Sequence, residues 1–229
     1  MASKFHFVST EAFTKKVKDF IETEEKLVYN VGSLSLENLN NLPFLSLEAF
    51  YEKWHINLKE NTILFTIHPE TIDFESNEKY CSEITEALEQ LAKDYQIVIT
   101  MPNADTNGII FRNSFEKLAE NNKQIKIIEN FGTQSYFTCM KYAKLLIGNT
   151  SSGIVEAASF QKYVLNIGDR QKGRLSSKNV IHLPFKADEI VSKAKKYLTK
   201  TYDGENIYFQ AKPSHKIITI LKKNYASIS

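Results

Sequence analysis

The chain has 229 residues, 42% of them hydrophobic, and 29 Lys and Arg against 27 Asp and Glu give a formal net charge of +2. That length can bury a core, and is long for one domain but short for two full ones. A near-neutral balance of scattered charges gives no footing for bulk binding to nucleic acid or a membrane surface. No apolar run is long enough to cross a bilayer, so a cytoplasmic setting is the expectation.

Apolar runs and amphipathic stretches alternate along the chain. Residues 5–8 suggest a strand, Thr10 to Ile21 a helix starting from a Thr cap, and Leu27 to Val31 a second strand. Gly32 to Phe44 is rich in Ser, Asn and Leu without a clear period, which suits an interdomain crossover. A helix near Ser46 to Trp54 follows, then strand Ile63 to Ile67, helix Asn77 to Lys93, strand Gln96 to Thr100 and helix Gly108 to Glu120. Strand Ile125 to Ile128, helix Thr133 to Tyr142, strand Leu145 to Ile147, a helix from Gly153 or Ile154 to Phe160 and strand Tyr163 to Ile167 continue the alternation. Strand Val180 to His182 and helix Ala187 to Leu198 complete it. Short, almost wholly apolar strands between helices predict a Rossmann-like parallel sheet covered by helices on both faces. Cys81 and Cys139 each fall in a helical stretch and read as buried free thiols. No His or carboxylate pair has the spacing of a metal site, and neither metal nor cofactor is expected.

Chemistry concentrates in two segments, Ile147-Gly-Asn-Thr-Ser-Ser-Gly-Ile-Val-Glu156 and Asn166-Ile-Gly-Asp-Arg-Gln-Lys-Gly-Arg174. The first is a strand end, a small-residue turn and a helix start, which directs backbone N–H groups at one spot where a phosphate is favoured. Thr150, Ser151, Ser152 and Gly153 form that turn, and Glu156 lies one helical turn beyond, at the reach needed to accept from ribose hydroxyls. Arg170 and, more weakly, Arg174 follow a second apolar run and could offer a guanidinium fork to phosphate oxygens. Taken alone, such a turn is also what any capped helix start contains.

Together these segments resemble the signature of the UDP-N-acetylglucosamine 2-epimerase family, and the Gly-x-Arg-Gln-x-Gly-Arg element is similar to its hydrolysing, sialic-acid-pathway branch. Thr66-Ile-His-Pro-Glu-Thr71 is similar to the family's strand-end His-Pro segment, and Met101-Pro-Asn-Ala-Asp105 to its Pro-Asn-x-Asp loop. The resemblance implies a glycosyltransferase-B-like two-domain architecture of which this chain is the C-terminal half. Residues 1–44 would then be the last strand and helix of an N-terminal domain plus the crossover, and 45–229 a UDP-binding domain with its C-terminal helix.

The resemblance further implies that His68 faces the phosphates and supports catalysis, although from the residues alone it could simply bond a backbone carbonyl. It places Phe137 against the uracil, where a core role is the alternative, and brings in Asn103 and Asp105, which could equally form a local Asx turn. The implied reaction removes UDP from UDP-N-acetylglucosamine by elimination across C1 and C2, then hydrates the glycal to N-acetylmannosamine. The implied partners are UDP or a UDP-sugar, and either a second copy of the chain or a separately encoded N-terminal half. A glycosyltransferase donor domain and a non-catalytic UDP-binding remnant remain alternatives.

Overall fold

The computed structural model describes residues 4–21, 27–70, 73–102 and 108–224, without the side chain of residue 74. The chain divides into two compact units, residues 1–42 with 206–229, and residues 43–205.

In the first unit, strands β1 (His6–Val8) and β2 (Val28–Asn30) pair in parallel, linked through helix α1 (Glu11–Ile21). Thr10 caps α1, its Oγ1 accepting from Phe13 N–H at 3.2 Å. The segment expected as an irregular crossover contains a helix, α2 (Leu34–Asn40). Its two turns are too short to display a period, and burial of Leu36 and Leu39 rather than intrinsic propensity holds it. The C-terminal helix α9 (Pro213–Lys223), counted above with residues 45–229, belongs to this first unit. Glu37 caps it, accepting from Ser214 N–H at 3.0 Å and from Ser214 Oγ at 2.9 Å. A cavity of about 480 Å³ between α1, β2 and α9 is lined by Thr14, Tyr29, His215 and Ile220 among others and contains none of the candidate site residues.

The second unit is built on six strands: β3 (Thr62–Thr66), β4 (Gln96–Thr100), β5 (Ile125–Ile128), β6 (Leu145–Gly148), β7 (Val164–Ile167) and β8 (Val180–Leu183). All pair in parallel in the order β5-β4-β3-β6-β7-β8. The helices of this unit are α3 (Leu47–Trp54), α4 (Asn77–Leu91), α5 (Gly108–Asn121), α6 (Gly132–Tyr142), α7 (Ser151–Val155) and α8 (Ala187–Tyr197). Successive strand residues point to opposite faces, and both faces are apolar. Ile63, Phe65, Ile97 and Ile147 join a core with Leu88 of α4, Phe115 of α5 and Ile190 of α8. Leu64, Val98 and Leu146 join a second core with Phe50 of α3 and Met140 of α6. Each such side chain contributes about 1.5–3 kcal/mol on burial, so both helical layers are required to hold the sheet. Cys81 and Cys139 are buried free thiols within these layers.

The element expected from Gly153 or Ile154 to Phe160 starts earlier and changes type. The Thr150 hydroxyl accepts from Gly153 N–H at 3.3 Å, which makes Ser151 the first helical residue of α7, and a 3₁₀ turn over Ala157–Phe160 replaces the α-helix after Val155. Among the described residues, no helix is long and apolar enough to cross a membrane.

Candidate functional site

The strand order reverses between β3 and β6, and in parallel sheets a ligand crevice opens at the carboxyl ends of the strands beside such a reversal. Here the two strand ends approach closely at Gly148, which has φ 143°. A Cβ at that position would lie 1.7 Å from the Thr66 carbonyl oxygen, so only glycine fits. Asn149 N–H then donates to that same carbonyl at 3.0 Å.

Asn149, 0% exposed, is the hub of the strand ends. Its Oδ1 accepts from His68 N–H at 2.8 Å and its Nδ2 donates to the His68 carbonyl at 2.8 Å. Its backbone carbonyl accepts from Arg170 Nη1 at 3.3 Å and from Gln171 Nε2 at 2.7 Å. One residue after β6 thereby ties the segment after β3 to the segment after β7. His68 and Arg170, expected together from sequence, meet through this residue. Asn149 and Gln171 sit inside the quoted motifs but were not singled out there; an Asn between a strand-ending glycine and a cap was the available signal.

The start of α7 is less open than its composition implies. Ser152 Oγ lies 2.7 Å from the Tyr136 hydroxyl and 2.9 Å from Thr150 Oγ1. Burial pushes the Tyr136 phenol up, so it keeps its proton through the neutral range. Thr150, Ser152 and Tyr136 thus form one hydroxyl chain, and Ser151 is the exposed hydroxyl of the turn. Tyr136 lies on α6, and nothing local in the sequence points to it.

Glu156 stands at the junction of α7 and the 3₁₀ turn and is 7% exposed, with its N–H donating to the Ser152 carbonyl at 3.0 Å. Phe137 is half-buried on α6, stacked on Phe160 at 6.0 Å between centroids, and Phe160 meets Phe44 edge-on. Arg174 is exposed at a turn in which its N–H donates to the Gln171 carbonyl at 3.1 Å. Asn103 and Asp105 lie outside the described residues. Among the described residues, no group of three His, Cys, Asp or Glu side chains is placed to hold a metal ion.

A guanidinium and a capped helix start thus lie at the switch point of a parallel α/β sheet, and comparison with known proteins gives the family. The sequence matches the UDP-N-acetylglucosamine 2-epimerase family over residues 1–222, and the chain belongs to that family. It is 37% identical over 180 residues to a Campylobacter jejuni protein named GDP/UDP-N,N'-diacetylbacillosamine 2-epimerase (hydrolyzing), a match covering 78% of this chain and 46% of that protein. It is 30% identical over 227 residues to the Escherichia coli polysialic acid biosynthesis protein P7, covering 96% of this chain and 57% of that protein. The chain therefore spans about half the length of these relatives. The UDP-GlcNAc 2-epimerase structure from Methanocaldococcus jannaschii shares the fold with a TM-score of 0.75 at 18% identity, over 96% of this chain and 62% of that one. The Neisseria meningitidis enzyme, solved bound to UDP-GlcNAc, gives a TM-score of 0.73 at 18% identity, over 97% and 62%. The expected parallel sheet of a glycosyltransferase-B-like fold is thus the fold observed.

Proposed function

We propose that this chain is the nucleotide-binding part of a hydrolysing 2-epimerase that converts UDP-N-acetylglucosamine to N-acetylmannosamine and UDP. The observation that carries the reading is the convergence of His68, Asn149 and Arg170 at the switch point, beside the start of α7. In this reading the exposed Arg170 guanidinium and the exposed Ser151 hydroxyl take the diphosphate, His68 donates to it, and Glu156 accepts from the ribose. Phe137 borders the uracil, and Arg174 is an outer cation for the phosphates. As the C1–O bond breaks, negative charge grows on the leaving diphosphate, and donors fixed in advance stabilise it most in the transition state. Removal of one such donor from a closed site typically costs about a hundred- to a thousandfold in rate.

Elimination also needs a base for the C2 proton and an acid/base group for hydration. We assign these to a second domain or a separately encoded half, as the length of the relatives supports. A second amino sugar is favoured by one observation: two relatives, from Campylobacter jejuni and Legionella pneumophila, are named for N,N'-diacetylbacillosamine. A glycosyltransferase donor domain loses support from the family match over residues 1–222. Calorimetry with UDP and uridine tests the binding assignment. UDP is expected to bind far more tightly, and equal affinities would overturn the diphosphate site.

A further inference from the structure

Glu70 lies inside the quoted His-Pro segment but has been given no role there or in the proposed chemistry, yet it is only 6% exposed and sits beside the site. Its Oε1 accepts from Asp169 N–H at 2.9 Å and from Arg170 N–H at 3.1 Å, across 99 and 100 residues of sequence. Its own backbone is held on both sides by the first residue of α4. Asn77 Oδ1 accepts from Glu70 N–H at 3.0 Å, and Asn77 Nδ2 donates to the Glu70 carbonyl at 3.0 Å. Space for the carboxylate exists because residue 168 is glycine. With φ 75°, a Cβ there would stand 2.4 Å from Glu70 Oε1 and 2.3 Å from the Phe185 ring.

Burying a carboxylate is costly unless it is hydrogen-bonded, and here two successive N–H groups of the turn after β7 converge on Oε1. The backbone of Arg170 is held by Glu70 from the β3 side, and its guanidinium reaches the Asn149 carbonyl after β6. We propose that Glu70 is the positioning residue of the site: it sets the Asp169–Arg170 backbone so that the Arg170 fork faces the diphosphate. The proposal rests on the reading of Arg170 as a diphosphate ligand.

Glu70→Gln keeps the length of the side chain and one carbonyl acceptor while removing the charge. In the full chain it is expected to weaken UDP about tenfold, as for loss of a charge-assisted bond, and to leave uridine unchanged. A merely structural defect would weaken both ligands alike. In an Arg170→Ala background the same change is expected to cost less than about twofold for UDP, since the positioned group is gone. Unchanged UDP affinity in Glu70→Gln, equal weakening of uridine, or an additive loss in the double variant would overturn the proposal. Should Glu70→Gln not fold, Glu70→Asp, which keeps the charge and shortens the reach, is read by the same criteria. If Arg170→Ala alone leaves UDP affinity intact, the diphosphate reading fails. Amide hydrogen exchange then tests the clamp separately, with faster exchange at Asp169 and Arg170 expected in Glu70→Gln and unchanged exchange refuting it.

Discussion

Asn149 and His68 hold each other by both ends of one amide: Oδ1 takes the His68 N–H and Nδ2 gives to the His68 carbonyl, each at 2.8 Å and across 81 residues of sequence. A carboxylate in place of the amide would keep the first bond and set an oxygen against the carbonyl. Asn149→Asp is therefore expected to destabilise the chain by about 1–3 kcal/mol, the cost of leaving a buried group unmet, and to weaken UDP. Urea denaturation reads the first effect, and an unchanged midpoint would mean the bridge contributes nothing.

Arg170→Lys should not behave as a conservative change. Lysine keeps the charge but loses the planar pair of donors that matches a phosphate, so UDP affinity should fall by about 1.5–3 kcal/mol, the worth of a charge-assisted bond. The measurement is a calorimetric dissociation constant, and a value equal to the parent's would leave Arg170 in solvent.

Tyr136→Phe removes the hydroxyl that meets Ser152 in the Thr150–Ser152–Tyr136 chain and leaves the ring in place. A stability loss of about 0.5–1.5 kcal/mol is expected for the lost bond. UDP should also weaken, and by less in a Ser152→Ala background, because the 2.7 Å contact with Ser152 Oγ is what links Tyr136 to the start of α7. An equal effect in both backgrounds would contradict that arrangement.

Stability should fall in alkali. Burial raises the Cys139 thiol and also raises the Tyr136 phenol, so the folded chain holds both protons where the unfolded chain releases them. The unfolded groups ionise near pH 8.5 and 10, so the stabilisation is fully present below about pH 8 and declines as pH rises through and beyond those values. Urea midpoints at pH 7, 9 and 10 should descend in that order, and a flat series would show that neither group matters. Cys139 should likewise resist a thiol reagent until the chain unfolds.

A polypeptide of these 229 residues is expected to bind UDP without releasing N-acetylmannosamine from UDP-N-acetylglucosamine. Glu70 is engaged by two backbone amides, and Asp169 is paired with Lys172 at 2.9 Å. His68 and Glu156 are assigned to the diphosphate and the ribose. Product in a coupled assay from UDP-N-acetylglucosamine, or from its diacetylbacillosamine counterpart, that disappears in His68→Ala would overturn this.

The sheet was legible in sequence because its strands are buried on both faces, and a run such as Gln96–Thr100 has nothing else to become. Helix α2 was not, since two short turns among Ser and Asn carry no period and depend on what buries Leu36 and Leu39. In the site, the Gly148-to-Glu156 turn could be read because strand, cap and helix start are contiguous. The parts that could not be read are bonds between distant loops: Asn149 to His68, Glu70 to Arg170, Tyr136 to Ser152. Each depends on which strands and helices lie side by side, and local patterns in a single sequence do not fix strand order.

The pairing of β3 with β6 also has a kinetic consequence. Ile63 meets Leu145 across a long stretch of sequence that contains both β4 and β5. Closing a loop of that size costs entropy before any contact repays it, and such long-range parallel pairing is slow to form. The bonds of the site cross that same seam. Refolding protein should therefore acquire helix early and affinity for nucleotide late, in the phase that completes the sheet.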